Sequence, residues 1–313
     1  MSSDSFTLQK APNFNVVYES IDLKEVFGEV ELIKNIGCVF VSNKGPESQI
    51  NKGFSSISPL HGRACATTHN GNFFSLKGTG WSFAGPRYFL SPTLEELFYG
   101  LLPQAYAEKE LIISKELNKK GFLAGRVIGY GLLGDPFSEL KVGSTFFNPS
   151  VLYTQMISPY RIADLMYFNL EERRNLFQTT YSNANNELEN TSLKTMCWDF
   201  IKKLFVANND LINLGGINDS LMWDNVTLAC EIVDFEMVFI PGINVNDRID
   251  HIRLPNRQKQ SYIWLFELLY KMVNVLEVDI SFQEIALQSF LCCEDDLQKE
   301  NKDFLEGFIY SNV

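Results

Sequence analysis

A lysine closing an apolar run, a glutamate in a helical stretch, and a cluster of acid and amide side chains are the residues of this sequence that could do chemistry. Lys77 ends the run Asn72–Lys77 and stands directly before Gly78-Thr79-Gly80. A lysine so placed can meet a phosphate while the glycines admit backbone close to it; an ordinary turn is the plainer alternative. Glu110 could hold such a lysine by ion pairing, and its neighbours Glu108 and Glu116 fit a solvated acidic face equally well. The third group is Asp224-Asn225, with Asp234 following nine residues after Asn225. Val226 to Val233, between them, can form a hairpin that returns Asp234 towards Asn225. Their oxygens suit Mg²⁺ carrying nucleotide phosphates, and Asp224 can accept a hydroxyl proton. The same residues also read as a turn, with Asp234 capping a strand end.

The elements that must position these side chains change in character along the chain. Short β-rich runs split by Gly and Pro dominate up to about residue 160. His69-Asn70-Gly71-Asn72 supplies an Asn-Gly turn, so residues 63–77 are expected to form a β-hairpin that ends at Lys77. Ser91-Pro92-Thr93 can start a helix over about 94–120, with Pro103 as a point of breakage and Gly121 as its stop. Strands are expected near 126–133 and 151–158. Helices are expected near 161–183, 189–208, 256–278 and 281–312, with two short apolar runs around 226–240. This pattern predicts an α+β chain of two lobes with a cleft between them. Residues 1–158 make a small β-rich lobe with one long helix; residues 159–313 make a large, mainly helical lobe carrying the Asp224–Asp234 loop. The apolar stretch Ser261–Met272 reads as a core helix of the large lobe, with a partner interface as the alternative.

Composition narrows the partners. The 313 residues hold 27 basic and 38 acidic side chains, a net charge of −11 that repels phosphate backbones and anionic headgroups. Nucleic acid and membrane are therefore excluded as expected partners, and a bound polyphosphate needs a local basic pocket. A polar N-terminus and the lack of a long apolar stretch predict a cytoplasmic protein. Six cysteines without a CxxC pair and three scattered histidines give neither a disulfide framework nor a zinc pattern.

In their order, the strand lysine, helix glutamate, and Asp, Asn and Asp resemble a protein-kinase-like ATP site. More narrowly, the sequence resembles the SelO/YdiU family of kinase-like proteins, other members of which transfer AMP. The likeness runs over about residues 70–240. It takes in Phe74-Ser75-Leu76-Lys77-Gly78-Thr79-Gly80, Phe83-Ala84-Gly85-Pro86-Arg87, Glu110 eleven residues before Gly121, Ser158-Pro159-Tyr160-Arg161, Asp224-Asn225-Val226-Thr227 and Asp234. The resemblance implies a bilobal protein-kinase-like fold with ATP and Mg²⁺ as cofactors. It makes Lys77 and Glu110 a phosphate-binding pair, Asn225 and Asp234 metal ligands, Asp224 the base, and Arg87 and Arg161 phosphate contacts. The sequence departs from the family where Asn218-Asp219 replaces a His-Gly pair, which makes Asp219 a rival base. Glu236 replaces the glycine usual after the second metal acid, and the family's redox cysteine motif has no equivalent here. The expected function is ATP- and Mg-dependent phosphorylation of a hydroxyl on a small-molecule acceptor. The alternatives are AMP transfer to a protein hydroxyl and an ATP-binding pseudokinase acting through a partner.

Overall fold

The computed structural model describes residues 6–10, 15–19, 38–42, 64–69, 72–78, 102–132, 141–142, 145–146, 148–185, 191–219, 221–243 and 253–311. The fold is mixed α+β, and the chain divides into two compact units, Met1–Lys115 with Gly125–Tyr160 and Glu116–Ala124 with Arg161–Val313.

In the first unit, β4 (Ala64–His69) and β5 (Asn72–Lys77) pair antiparallel with His69 opposite Asn72, the two-residue hairpin that Asn70-Gly71 demands. They belong to a six-stranded antiparallel sheet in the order β2 (Asn15–Glu19), β7 (Arg126–Leu132), β10 (Pro149–Met156), β5, β4. The short β6 (Leu102–Pro103) pairs with the start of β10. Two further ribbons pair β1 (Phe6–Lys10) with β3 (Cys38–Ser42), and β8 (Lys141–Val142) with β9 (Thr145–Phe146). Helix α1 (Gln104–Lys119) follows β6 at once. Its Ala107 and Leu111 pack with Leu102, Val127, Tyr130 and Leu152, so one helix stripe covers one sheet face. The helix thus begins immediately after Pro103; the expected residues 94–101 lie outside the described ones. It ends as expected at Gly121, whose φ of +82° few other residues adopt. Gly121 N–H donates to Asn118 O and Phe122 N–H to Leu117 O, which satisfies the last carbonyls.

The second unit is mainly helical. A 3₁₀ turn (Ile162–Tyr167) leads into α2 (Leu170–Ala184), whose start is fixed by Asn169 and Glu172 capping each other's N–H groups. Then come α3 (Leu193–Asn213), α4 (Leu254–Val275), α5 (Phe282–Cys293) and α6 (Lys299–Ser311). Tyr262, Leu265, Phe266, Leu269 and Met272 are buried, which makes α4 a core helix. Phe266 stacks on Phe205 and Phe308 with ring centroids 5.8 and 6.0 Å apart.

Several expectations need correction. The helix expected near 161–183 is a 3₁₀ turn (Ile162–Tyr167) followed by α2, interrupted at Phe168-Asn169. The single helix expected over 281–312 is two, because Glu294-Asp295-Asp296 place three carboxylates at the carbonyl end of α5, where the helix dipole disfavours them. The apolar runs near 226–240 form only isolated bridges and β12 (Val238–Phe239), which pairs with β11 (Ile217–Asn218).

Candidate functional site

In the first unit, Lys77 and Glu110 form a buried ion pair, with Nζ 2.5 Å from Oε1. β5 lies inside the sheet, so Phe74 to Lys77 are buried in succession, and α1 presents Glu110 from its covered side. This decides the choice left open by the sequence: Glu110 does not lie on a solvated face. Glu116 instead pairs with Lys120, just past the end of α1, and Glu108 accepts hydrogen bonds from Gln104 and Tyr130. Burial and Glu108 together push the Tyr130 hydroxyl up to about 12. Gly78 has φ +93°, and a Cβ there would sit 2.8 Å from Leu102 Cβ and collide with the Ser150 carbonyl. The glycine after Lys77 therefore lets β5 lie against β10 and β6.

In the second unit, the loop with the remaining candidates is a hairpin closed by three residues. Thr227 N–H donates to Glu231 O, and Cys230 takes a φ of +69° after a turn closed by Cys230 N–H to Thr227 O. Thr227 Oγ1 accepts from Glu231 N–H and donates to the buried Glu231 carboxylate. Val226 bridges Ile232, and Val233 N–H donates to Asn225 O at 2.9 Å. Asp234 is therefore returned beside Asn225, as the hairpin expectation required.

Four successive carbonyls of this loop all accept hydrogen bonds. Trp223 O takes Ala163 N–H at 2.9 Å, Asp224 O takes Arg161 Nη1 at 2.5 Å, Asn225 O takes Val233 N–H, and Val226 O takes Ile162 N–H at 3.0 Å. The backbone that carries Asp224 and Asn225 is pinned from both sides. The segment before α2 thus acts on the loop through Arg161, whose guanidinium grips the loop backbone while its Nε has no partner among the described residues.

Asp234 sits at φ 63° and ψ 79°, a left-handed conformation that costs an ordinary residue about 1–2 kcal/mol. It directly precedes a 3₁₀ turn (Phe235–Met237), for which its side chain makes no capping hydrogen bond. Carboxylate oxygens of Asp234 and Glu236 come within 4.8 Å of each other. Asn225 is buried and Asp224 partly so, and Asp224 Oδ1 has no partner among the described residues.

Asp219, the rival base, directly follows β11 and pairs with Arg257 in the first turn of α4. Its second oxygen, Oδ1, is buried without a partner among the described residues. Sequence reasoning missed Arg257, which lies 38 residues further on with no motif around it. It also missed the cavity of about 390 Å³ lined by Asp219, Trp223, Trp264, Glu267 and Lys271. The available signal was Trp223 directly before Asp224. Arg87 lies outside the described residues, as do Thr79 and Gly80.

Compared with models of known protein families and with curated proteins, the sequence matches none. No helix among the described residues is long and apolar enough to cross a membrane. The four described cysteines, Cys197, Cys230, Cys292 and Cys293, are free thiols.

Proposed function

We propose that this chain is an ATP- and Mg²⁺-dependent transferase that phosphorylates a hydroxyl of a small-molecule acceptor. The observation that carries the reading is the hairpin that returns Asp234 to Asn225, with the loop backbone held at four consecutive carbonyls. It returns Asp234 beside the Asn225 backbone, the Asp234 and Glu236 carboxylates come within 4.8 Å of each other, and all three residues offer oxygen ligands of the kind that suits Mg²⁺. Bound with ATP, that ion would neutralise the phosphate oxygens and hold them for in-line attack. Asp224, whose Oδ1 has no partner among the described residues, is the group to accept the acceptor's hydroxyl proton. Asp219 is less suited because Arg257 engages its carboxylate. Lys77, fixed by Glu110, supplies a positive charge for phosphate oxygens. The order of these residues, similar to that of SelO-like kinases, supports the same reading.

AMP transfer to a protein hydroxyl is the second reading. It is favoured by Arg161, whose Nε beside the loop has no partner among the described residues and is a donor of the kind a phosphate accepts from. The experiment is incubation with Mg²⁺ and ATP labelled separately at the α and γ phosphates, with cell extract as acceptor source. Label from γ in small molecules supports the kinase, and label from α on protein supports AMP transfer. Binding of ATP without transfer leaves a pseudokinase. Asp234→Ala should abolish transfer, and Asp224→Asn should cut turnover more than nucleotide binding. A fully active Asp224→Asn beside a dead Asp219→Asn would reverse the assignment of the base.

A further inference from the structure

We propose that the cavity beside the Asp224 loop binds a neutral polyhydroxylated molecule, a sugar or a polyol. That this molecule is the acceptor rests on the phosphotransferase reading; that it binds does not.

At about 390 Å³ the cavity falls in the range of small-molecule sites, about 300–1,000 Å³. One wall is a single stripe of α4, since Trp264, Glu267, Leu268 and Lys271 recur at helical spacing. The other wall is the segment ending in Trp223, whose next residue is Asp224. Asp219 also lines the cavity, its side chain only 7% exposed. Arg257 takes one of its oxygens, and the other, Oδ1, has no partner among the described residues. Leaving a buried acceptor unsatisfied costs about 1–3 kcal/mol, which a ligand hydroxyl would recover once the Asp219 side chain turns Oδ1, buried as it stands, towards the cavity.

The lining selects against the other ligand classes. An anion would face the carboxylates of Asp219 and Glu267. A cation would meet Lys271, whose ammonium already lies 5.9 Å from the centroid of the Trp223 ring. A wholly apolar ligand would leave Asp219 Oδ1 unpaired. A sugar or polyol meets every condition: its hydroxyls donate to Asp219 and Glu267, its oxygens accept from Lys271, and its C–H face lies on an indole.

The test uses the full chain and five probes. D-glucose, D-ribose and myo-inositol are neutral, and D-gluconate and D-glucosamine are charged counterparts of the first. Binding is read by saturation-transfer NMR of the probe and by indole fluorescence. At least one neutral probe should bind with a Kd of about 10 mM or below, and the charged counterparts of glucose should bind no more tightly than glucose itself. Trp264→Leu should weaken the neutral probe about tenfold or more, equivalent to about 1.4 kcal/mol. Glu267→Gln, at an exposed position that folding tolerates, should weaken it about threefold. Binding of the charged probes alone, no binding of any neutral probe, or undiminished affinity in both variants would overturn the inference. Neutral-probe binding without label transfer from ATP leaves it standing while the transferase reading falls. Transfer of γ label to an extract acceptor, with none of the neutral probes bound, sinks this inference alone.

Discussion

Replacing Lys77 with Met separates a structural from a phosphate-binding role for the buried ion pair. The two charges stand 2.5 Å apart, with side chains 11% and 3% exposed. At an effective dielectric of about 20 their gross attraction is about 7 kcal/mol. Desolvating the two ions offsets most of it, at several kcal/mol each. Lys77→Met removes the attraction but leaves the Glu110 carboxylate buried, so the variant should lose about 3–5 kcal/mol of stability. With a urea dependence of about 2 kcal/mol per molar, its unfolding midpoint should fall by about 2 M. The double variant Lys77→Met/Glu110→Leu removes both charges and should recover most of that loss, because an apolar pair of similar volume is often neutral or stabilising. Urea melts followed by circular dichroism measure the first quantity, and equilibrium binding of ATP with Mg²⁺ measures the second. A stable double variant that no longer binds ATP assigns the pair to phosphate binding. If it binds ATP as the parent does, the pair is structural and that role is withdrawn. A single variant that loses less than about 1 kcal/mol would refute the electrostatic reasoning itself.

The left-handed backbone at Asp234 predicts that Asp234→Gly is more stable than Asp234→Ala by about 1 kcal/mol, while neither supports Mg-dependent transfer; equal melting temperatures would remove the strain argument. Glu284 is held below the ordinary carboxylate value, first by the Ser281 N–H and then by the Ser281 hydroxyl. Its contribution is therefore present above the unfolded value of about 4.3 and lost as pH falls through the folded one. Glu284→Gln should melt below the parent at pH 7 and with it near pH 2, and a gap that persists in acid would contradict the linkage. The Cys292 thiol is lowered, chiefly by its hydrogen bond with Cys293 and with help from Lys202, whereas burial pushes Cys197 up to about 12 and Cys230 up also. Iodoacetamide at pH 7 should modify Cys292 before those two, as read by peptide mapping; equal rates would count against it.

How much of this was legible in the sequence depended on whether the deciding physics was local. The Asn70-Gly71 turn and the Gly121 stop are local backbone rules, so the hairpin and the end of α1 could be read directly. Burial of the Ser261–Met272 stretch also followed from helical periodicity. The break between α5 and α6 was hidden because no Gly or Pro marks it; the acids at 294–296 act through the dipole of a helix that must first be known to exist. The Lys77–Glu110 pair was legible only as a possibility, since strand register and helix packing jointly bring together residues 33 positions apart. Asp219 with Arg257, and Trp223 with the Trp264 stripe, were not legible at all, for α4 offers an apolar pattern strong enough to mask the mixed stripe beside it.

The same contrast separates scaffold from candidate site. Where the fold is ordinary, propensity, turn chemistry and burial agree, as at the β4–β5 hairpin and the Asn169 cap. Around residues 219–234 they conflict: Cys230 and Asp234 take backbone angles that suit glycine, and Asp219 and Asp224 each keep a buried oxygen without a partner among the described residues. Each conflict costs on the order of 1–3 kcal/mol, and the loop holds them only because four consecutive carbonyls and a three-residue turn leave it no alternative path. A loop kept only for packing would lose nothing by replacing Asp234 with glycine or by filling the acceptor at Asp219 with a neighbouring donor. That it does neither is the physical reason to look for ligands there rather than in the better-behaved core.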